Sequence, residues 1–355
     1  MTASVPGVSG APPGGYRGSG QRCGPAYRPA FGAADRLPPP SRPEPLRLRL
    51  TAGLWLAVWE LARLLPEALV FGLADLGGRL AHRASAPARA RVARNLARVL
   101  PTATEAELAG VVRDAFRSYA RYWVEAFRAA DLDPADLDAR TTTDGFAHLD
   151  AALEGGRGAV VLLAHHGSWD VAARWAETHG YHLAVVAEVI RPRRLFERFV
   201  RLREAVGLEV VPLRRRSATA SDGGAALARD LERVAAGNHL LGLLADRDLS
   251  GTGVEVALFG HPAPLPRGPV TLSQRTGAPI VPISMLQRPA RRWHVQVLPA
   301  FEVDGLTPQT AVARVAQALE QLVLLDPAQW HCFSPVWSAD RPPRRSRPDP
   351  AAAPP

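Results

Sequence analysis

Apolar positions take three textures along the chain. Between Leu50 and Ala74 they dominate, as in Leu54-Trp55-Leu56-Ala57-Val58-Trp59, but Glu60, Arg63, Pro66 and Glu67 interrupt them. A membrane-spanning helix needs about 20 predominantly apolar residues with few or no charges. The pattern therefore predicts two amphipathic helices broken at Pro66. Trp55 and Trp59 fall on a face that either lies in a membrane interface or packs on the domain. From Ala86 to Ala130 the period is helical again, over Arg91–Leu100 and, after Pro101, over Glu107–Phe127. Tyr119, Tyr122, Trp123 and Phe127 recur at helical spacing, which predicts core packing.

After Thr141 short apolar runs alternate with amphipathic ones. Strands are predicted at Val160–Leu163, Leu183–Val186, Glu209–Pro212, Leu240–Leu244, Pro279–Ser284 and Trp293–Leu298. Helices are predicted at Val171–His179, Arg194–Val206, Gly223–Ala236 and Ala311–Leu325. Such alternation gives an α/β fold with helices on the faces of a sheet, whose strand ends gather functional residues. The expected organisation is one domain over residues 46–340, helical to 140 and α/β from 141. It is flanked by a disordered leader rich in Pro, Gly and Arg (1–45) and a disordered tail (341–355). No apolar h-region of a signal peptide follows Met1.

Composition changes the picture modestly. The 355-residue chain is 47% apolar, ample for a core, and carries a net charge of +9. It has no lysine, so all the positive charge is arginine, whose planar fork suits phosphates and anionic lipid headgroups. No helix-turn-helix, finger or RNP-like signature accompanies that charge, which argues against nucleic acid as partner. Cys23 and Cys332 cannot make a disulfide framework and suit a reducing cytosol. Metal-ligand spacing is absent, since His165 and His166 are adjacent with no matching carboxylate or cysteine pair.

The candidate chemistry centres on Val160-Val-Leu-Leu-Ala-His165-His166-Gly167-Ser168-Trp169-Asp170. A buried strand with a tight exit places His165 at the lip of a sheet, with a carboxylate five positions on. Such a pair can make the imidazole a general base for a substrate hydroxyl, or Asp170 can simply cap the following helix. Backbone N–H groups at Gly167–Ser168 are candidate oxyanion donors. Arg203 lies on a helix, and Asp246-Arg247-Asp248 directly follows a strand, placed for acid–base or phosphate work or for a local ion pair. Pro266-Arg267-Gly268-Pro269 could form an anion-binding nest. Pro327–Trp337 is either a core-sealing segment or part of an acyl-chain wall.

These motifs, in this order, resemble the bacterial lysophospholipid/lipid A acyltransferase family, and most of all its actinobacterial phosphatidylinositol mannoside acyltransferases. The resemblance runs from about Leu46 to Trp337. It is carried by Arg94-Asn95-Leu96, His165-x4-Asp170, Arg203-Glu-Ala-Val-Gly207, Ala245-Asp-Arg-Asp-Leu-Ser with Gly253-Val-Glu-Val, Phe259-Gly260, Pro266-Arg-Gly-Pro, Thr276-Gly277-Ala-Pro279 and Gln329-Trp330. It implies a central mixed sheet flanked by helices, with N-terminal membrane-associating helices. It also implies acyl transfer from acyl-CoA, a co-substrate with no further cofactor, to a hydroxyl of a membrane glycolipid. His165 would be the base, Asp170 its support and Asp246 the further acid, with Glu255 as the less favoured candidate. Arg203, Arg247, Asp248 and Glu255 would bind substrate, and His166 would be a spectator or a substitute base. The implied location is the cytoplasmic side of the inner membrane, peripheral on its anionic surface. A lysophospholipid or another glycolipid is the alternative acceptor, a hydrolase using the same pair on water ranks lower, and a non-enzymatic lipid-binding protein is the third class.

Overall fold

Pro66 ends one apolar helix and opens the next: α1 spans Leu46–Leu64 and α2 Glu67–Ala84 in the computed structural model. The structure describes residues 45–188, 192–213, 222–248 and 251–341. All but residue 45 of the leader (1–45) and all but residue 341 of the tail (341–355), both expected to be disordered, lie outside the described residues. Among these residues no helix is long and apolar enough to cross a membrane.

Helices α3 (Ala86–Val99) and α4 (Glu105–Arg128) follow. A capping box fixes the start of α4: the Thr104 hydroxyl accepts from Glu107 N–H, and the Glu107 carboxylate accepts from Thr104 N–H at 2.8 Å. Then come α5 (Pro134–Ala139), β1 (Thr141–Asp144), α6 (Phe146–Glu154), β2 (Ala159–Leu163), α7 (Trp169–Thr178), β3 (Leu183–Glu188), α8 (Arg193–Ala205), β4 (Glu209–Leu213), α9 (Asp222–Ala236) and β5 (Leu240–Leu244). The chain closes with the hairpin β6 (Val254–Leu258) and β7 (His261–Leu265), α10 (Gly268–Thr276), β8 (Ile280–Arg288), β9 (Arg292–Val297) and α11 (Pro308–Leu324).

Seven strands form one mixed sheet in the order β1-β9-β8-β2-β5-β3-β4. All neighbours are parallel except β8 and β9. Central β2 is apolar at every position because both its faces are covered. Val160 and Leu162 face a core with Val234, Val270 and Val312 of α9, α10 and α11. Ala159 and Val161 face Phe146, Leu149 and Trp175 of α6 and α7. Strand β1 escapes sequence reading because it is a polar edge strand, Thr-Thr-Thr-Asp, paired only with β9. Hairpin β6–β7 escapes it because Pro262 and Pro264 occupy β7, which a two-stranded ribbon tolerates.

The N-terminal helices pack chiefly on α4. Trp59 is 1% exposed and stacks on Phe127 at 4.6 Å while touching Phe199 of α8. The Trp55–Trp59 face divides between its two readings: Trp59 packs on the domain, and Trp55 is the exposed one of the two. The outward apolar positions are Leu46, Leu50, Leu54, Trp55, Val58, Leu61 and Leu64 on α1, and Leu69, Leu73, Leu76 and Leu80 on α2.

Candidate active site

Strand register builds the central pair. Parallel pairing sets Leu163 of β2 beside Leu244 of β5, so His165 and Asp246, each two residues further on, leave the same edge side by side. His165 Nδ1 lies 2.6 Å from Asp246 Oδ1, and Trp330 Nε1 donates to Asp246 Oδ2 at 2.9 Å. Asp246 is 1% exposed. Burial alone would raise its carboxyl, but the charge and hydrogen bond of His165, the Arg247 guanidinium and the Trp330 N–H outweigh it and hold the group well below the usual carboxylate range. An ionised carboxylate on Nδ1 leaves the N–H there and the lone pair on Nε2. Among the described residues Nε2 carries no hydrogen bond, and the ring of Trp169 meets the imidazole edge-to-face at 5.5 Å.

Asp170 does not reach His165. It is buried in the first turn of α7, where its Oδ2 accepts from the Tyr122 hydroxyl at 2.9 Å and its Oδ1 from Arg203 Nε at 3.2 Å. It therefore neither pairs with the histidine nor caps the helix. Five positions spanning a tight exit and the start of a helix carry the carboxylate off the β2 axis. Burial, with Asp170 alongside, pushes the Tyr122 phenol well above its ordinary value. Burial would lower Arg203, but the carboxylate raises it instead. The aromatic spacing on α4 thus yields core at Phe127 and a polar contact at Tyr122.

The turn between β2 and α7 is fixed from several sides. Gly167 adopts φ +65°, and a Cβ there would sit 2.0 Å from the Met285 carbonyl oxygen, so only glycine fits. Gly167 N–H donates to the Gln329 carbonyl at 3.0 Å and Ser168 N–H to that of Met285 at 2.8 Å. Both expected oxyanion donors are consequently engaged within the protein. His166 is buried with its ring nitrogens at Ser284 Oγ and the Asp326 carbonyl, 2.7 and 2.9 Å, which leaves none for substrate. The Pro327–Trp337 segment is core-sealing and also part of the site: His331 N–H donates to the His165 carbonyl at 2.7 Å, and Trp330 holds Asp246.

Other expected residues are dispersed. Arg247 donates weakly to Ser334 Oγ at 3.4 Å, and its buried Nε has no hydrogen-bond partner among the described residues. Asp248 accepts from Gly251 and Gly253 N–H, closing its own loop, with Arg341 at 3.7 Å. Glu255 is exposed on β6 and accepts from the Ser338 hydroxyl at 2.6 Å, so the structure does not bring it to His165. Arg267 and Gly268 are exposed at the start of α10. Asn95 donates to the Cys332 and Ser334 carbonyls, tying α3 to the segment behind the site. Burial pushes the Cys332 thiol up to about 12, so it is no nucleophile. No group of three or more His, Cys, Asp or Glu among the described residues is arranged to hold a metal ion.

A cavity of about 60 Å³ adjoins the Asp170–Arg203 contact. Asp170, Arg203 and Trp169 line it together with Leu163, Ala173, Leu183, Val185, Val186, Leu208, Gly242 and Leu244, so it is apolar apart from one carboxylate and one guanidinium.

Residues 43–339 match the family model described as bacterial lipid A biosynthesis acyltransferase. A phosphatidylinositol mannoside acyltransferase of Mycobacterium tuberculosis is 36% identical over 293 residues, covering 82% of this chain and 89% of that one. One of Mycolicibacterium smegmatis is 34% identical over 296 residues, covering 83% and 94%. The match spans every element that builds the His165 edge, and the chain belongs to the bacterial lipid A biosynthesis acyltransferase family and is an O-acyltransferase.

Proposed function

We propose that the chain transfers an acyl group from acyl-CoA to a mannose hydroxyl of a phosphatidylinositol mannoside, with His165 as general base. The observation that carries this is the 2.6 Å contact between His165 Nδ1 and buried Asp246, with Nε2 left open at the sheet edge. Nε2 takes the proton of the acceptor hydroxyl as its oxygen attacks the thioester carbonyl. Collapse of the tetrahedral species forms the ester and expels the CoA thiolate, which receives that proton from the imidazolium. Asp246 holds the tautomer and stabilises the transient cation, and Trp330 fixes Asp246 in turn. A thioester needs no Lewis acid for this.

Asp170 acts through Arg203, holding the guanidinium at the cavity mouth where it serves the phosphates of CoA or of the acceptor. Arg247, with its unpaired Nε beside the central pair, serves the same charge or the oxyanion. The small apolar cavity takes at most a part of the acyl chain. Exposed leucines on α1 and α2, with exposed Arg47 and Arg49 ahead of them, suit a peripheral seat on the anionic cytoplasmic leaflet.

The test is radiolabelled transfer from palmitoyl-CoA by wild type and His165→Ala, against phosphatidylinositol mannoside, lysophospholipid and no acceptor. Acylated mannoside from wild type alone is expected. A lysophospholipid product would move the acceptor, and free fatty acid without an acceptor would make the reaction hydrolysis.

A further inference from the structure

The buried stretch of α4 from Tyr122 to Phe127 is aromatic or apolar at every position but one. Glu125 is 2% exposed. Its Oε2 accepts from the Ser168 hydroxyl and, at 2.9 Å, from Gln287 Nε2. Its Oε1 has no hydrogen-bond partner among the described residues, and Arg121 Nη2 stands 3.6 Å from it. Burying a carboxyl with one oxygen unsatisfied is costly, and a leucine would fill such a site at less cost. Packing therefore gives no reason for an acid here, and the reason lies in what it touches.

Both contacts lead to the turn that carries the histidine. Ser168 stands between His165 and Asp170, and it spends its hydroxyl on Glu125 instead of capping α7. Gln287 is locked reciprocally to Gln329: its N–H donates to Gln329 Oε1 at 2.7 Å, and Gln329 Nε2 donates to its carbonyl at 2.9 Å. Gln329 accepts from Gly167 N–H and precedes Trp330, which holds Asp246. One carboxyl on α4 is thereby joined to His165 through Ser168 and to Asp246 through Gln287, Gln329 and Trp330.

We propose that Glu125 is a positioning residue for acyl transfer, clamping Ser168 and Gln287 so that the His165 imidazole and Asp246 stay in register. The inference rests on the reading of His165 as the base. Misplacing a reacting group by about 1 Å can cost about 10²-fold in rate.

The experiment compares full-length wild type, Glu125→Ala, Glu125→Gln, Ser168→Ala and the Glu125→Ala/Ser168→Ala double variant. It measures kcat and KM for palmitoyl transfer to phosphatidylinositol mannoside, melting temperature, and the His165 ring N–H resonance in histidine-labelled protein. Expected are a kcat loss approaching 10²-fold in each alanine single, little change in KM, and a double variant no slower than the slower single. Glu125→Gln, which keeps an acceptor oxygen for Ser168, should recover most of kcat. The His165 resonance should shift or broaden in both alanine singles. Should Glu125→Ala not fold, Ser168→Ala carries the same expectation with one hydroxyl removed. A folded variant with kcat within about twofold of wild type, losses that multiply in the double, or an unmoved resonance would overturn the proposal. If wild type acylates no mannoside while the resonance still responds to both singles, the acceptor reading falls and the positioning role stands.

Discussion

The sheet edge around His165 and the outer faces of α1 and α2 break opposite halves of the same rule. At the edge, Asp170, Asp246, Glu125, His166 and Ser168 are buried polar groups, and each has at least one hydrogen-bond partner. On α2, Leu69, Leu73, Leu76 and Leu80 are exposed at helical spacing among the described residues, as are Leu50, Leu54 and Leu61 on α1. Polar groups inside and leucines outside both work against folding. The difference lies in how each is compensated. Each of these edge groups finds a partner on another element, though one Glu125 oxygen stays unpaired, whereas the outer leucines of the helices stay exposed among the described residues.

The comparison breaks most visibly at His165. His165→Ala should lower acyl transfer by about 10²–10⁴-fold while leaving vesicle binding near wild type, as flotation would show. Asp246→Asn should follow closely, because an amide cannot enforce the Nδ1–H tautomer. Its loss should appear in kcat at every pH, and rescue by raised pH would refute the role assigned to Asp246.

Stability separates two tryptophans on one helix. Trp59→Ala should cost about 3–5 kcal/mol, read by chemical denaturation, whereas Trp55→Ala should cost far less because Trp55 is 38% exposed. Replacing Leu73 and Leu76 together with Asp should weaken binding to phosphatidylinositol-containing vesicles by about 10²-fold or more, since burying each leucine contributes about 1.5–3 kcal/mol. That variant should unfold no more readily than wild type. Unchanged vesicle binding would remove the membrane from the α1–α2 reading.

The smallest effect belongs to Glu125, whose carboxyl burial raises above its ordinary 4.5. A carboxyl with a raised folded value binds its proton more tightly in the native state than in the unfolded chain, so its contribution is full below 4.5 and is lost as pH rises through the folded value. Subtracting the stability–pH curve of Glu125→Gln from that of wild type should leave a difference that declines across that window and is flat below it.

The sequence made the sheet legible wherever a strand was buried on both faces, as β2 and β5 are. It hid β1, whose polar residues need only one neighbour, and the proline-bearing hairpin. At the site it brought out His165, Asp170, Arg203 and Asp246 as types and positions, but not their pairing. Linear proximity favoured Asp170 as the partner of His165, whereas parallel register delivers Asp246 from a strand some eighty positions away. Tyr122 reads as one more aromatic on a helical stripe, and its hydroxyl contact depends on where α7 begins. Glu125 did leave a signal, an acid inside an apolar helical stretch, yet only the fold tells whether such an acid faces in or out. Consumption of the Gly167 and Ser168 N–H groups by Gln329 and Met285 is invisible in the motif itself, because both acceptors lie far along the chain.

The Trp330–Asp246 contact carries a consequence for synthesis. A growing polypeptide exposes His165, Asp170 and Asp246 long before residues 329–331 have been made, and domains generally fold from the N-terminus as they emerge. Until that segment returns to the sheet, Asp246 lacks its indole donor, Gly167 lacks the Gln329 carbonyl and the His165 carbonyl lacks its donor from residue 331. A ribosome that stalls ahead of this segment leaves a product that bears the motif with the His165–Asp246 contact unsupported. The His165–Asp246 arrangement is thus complete only after residues 329–331 have been made and have returned to the sheet.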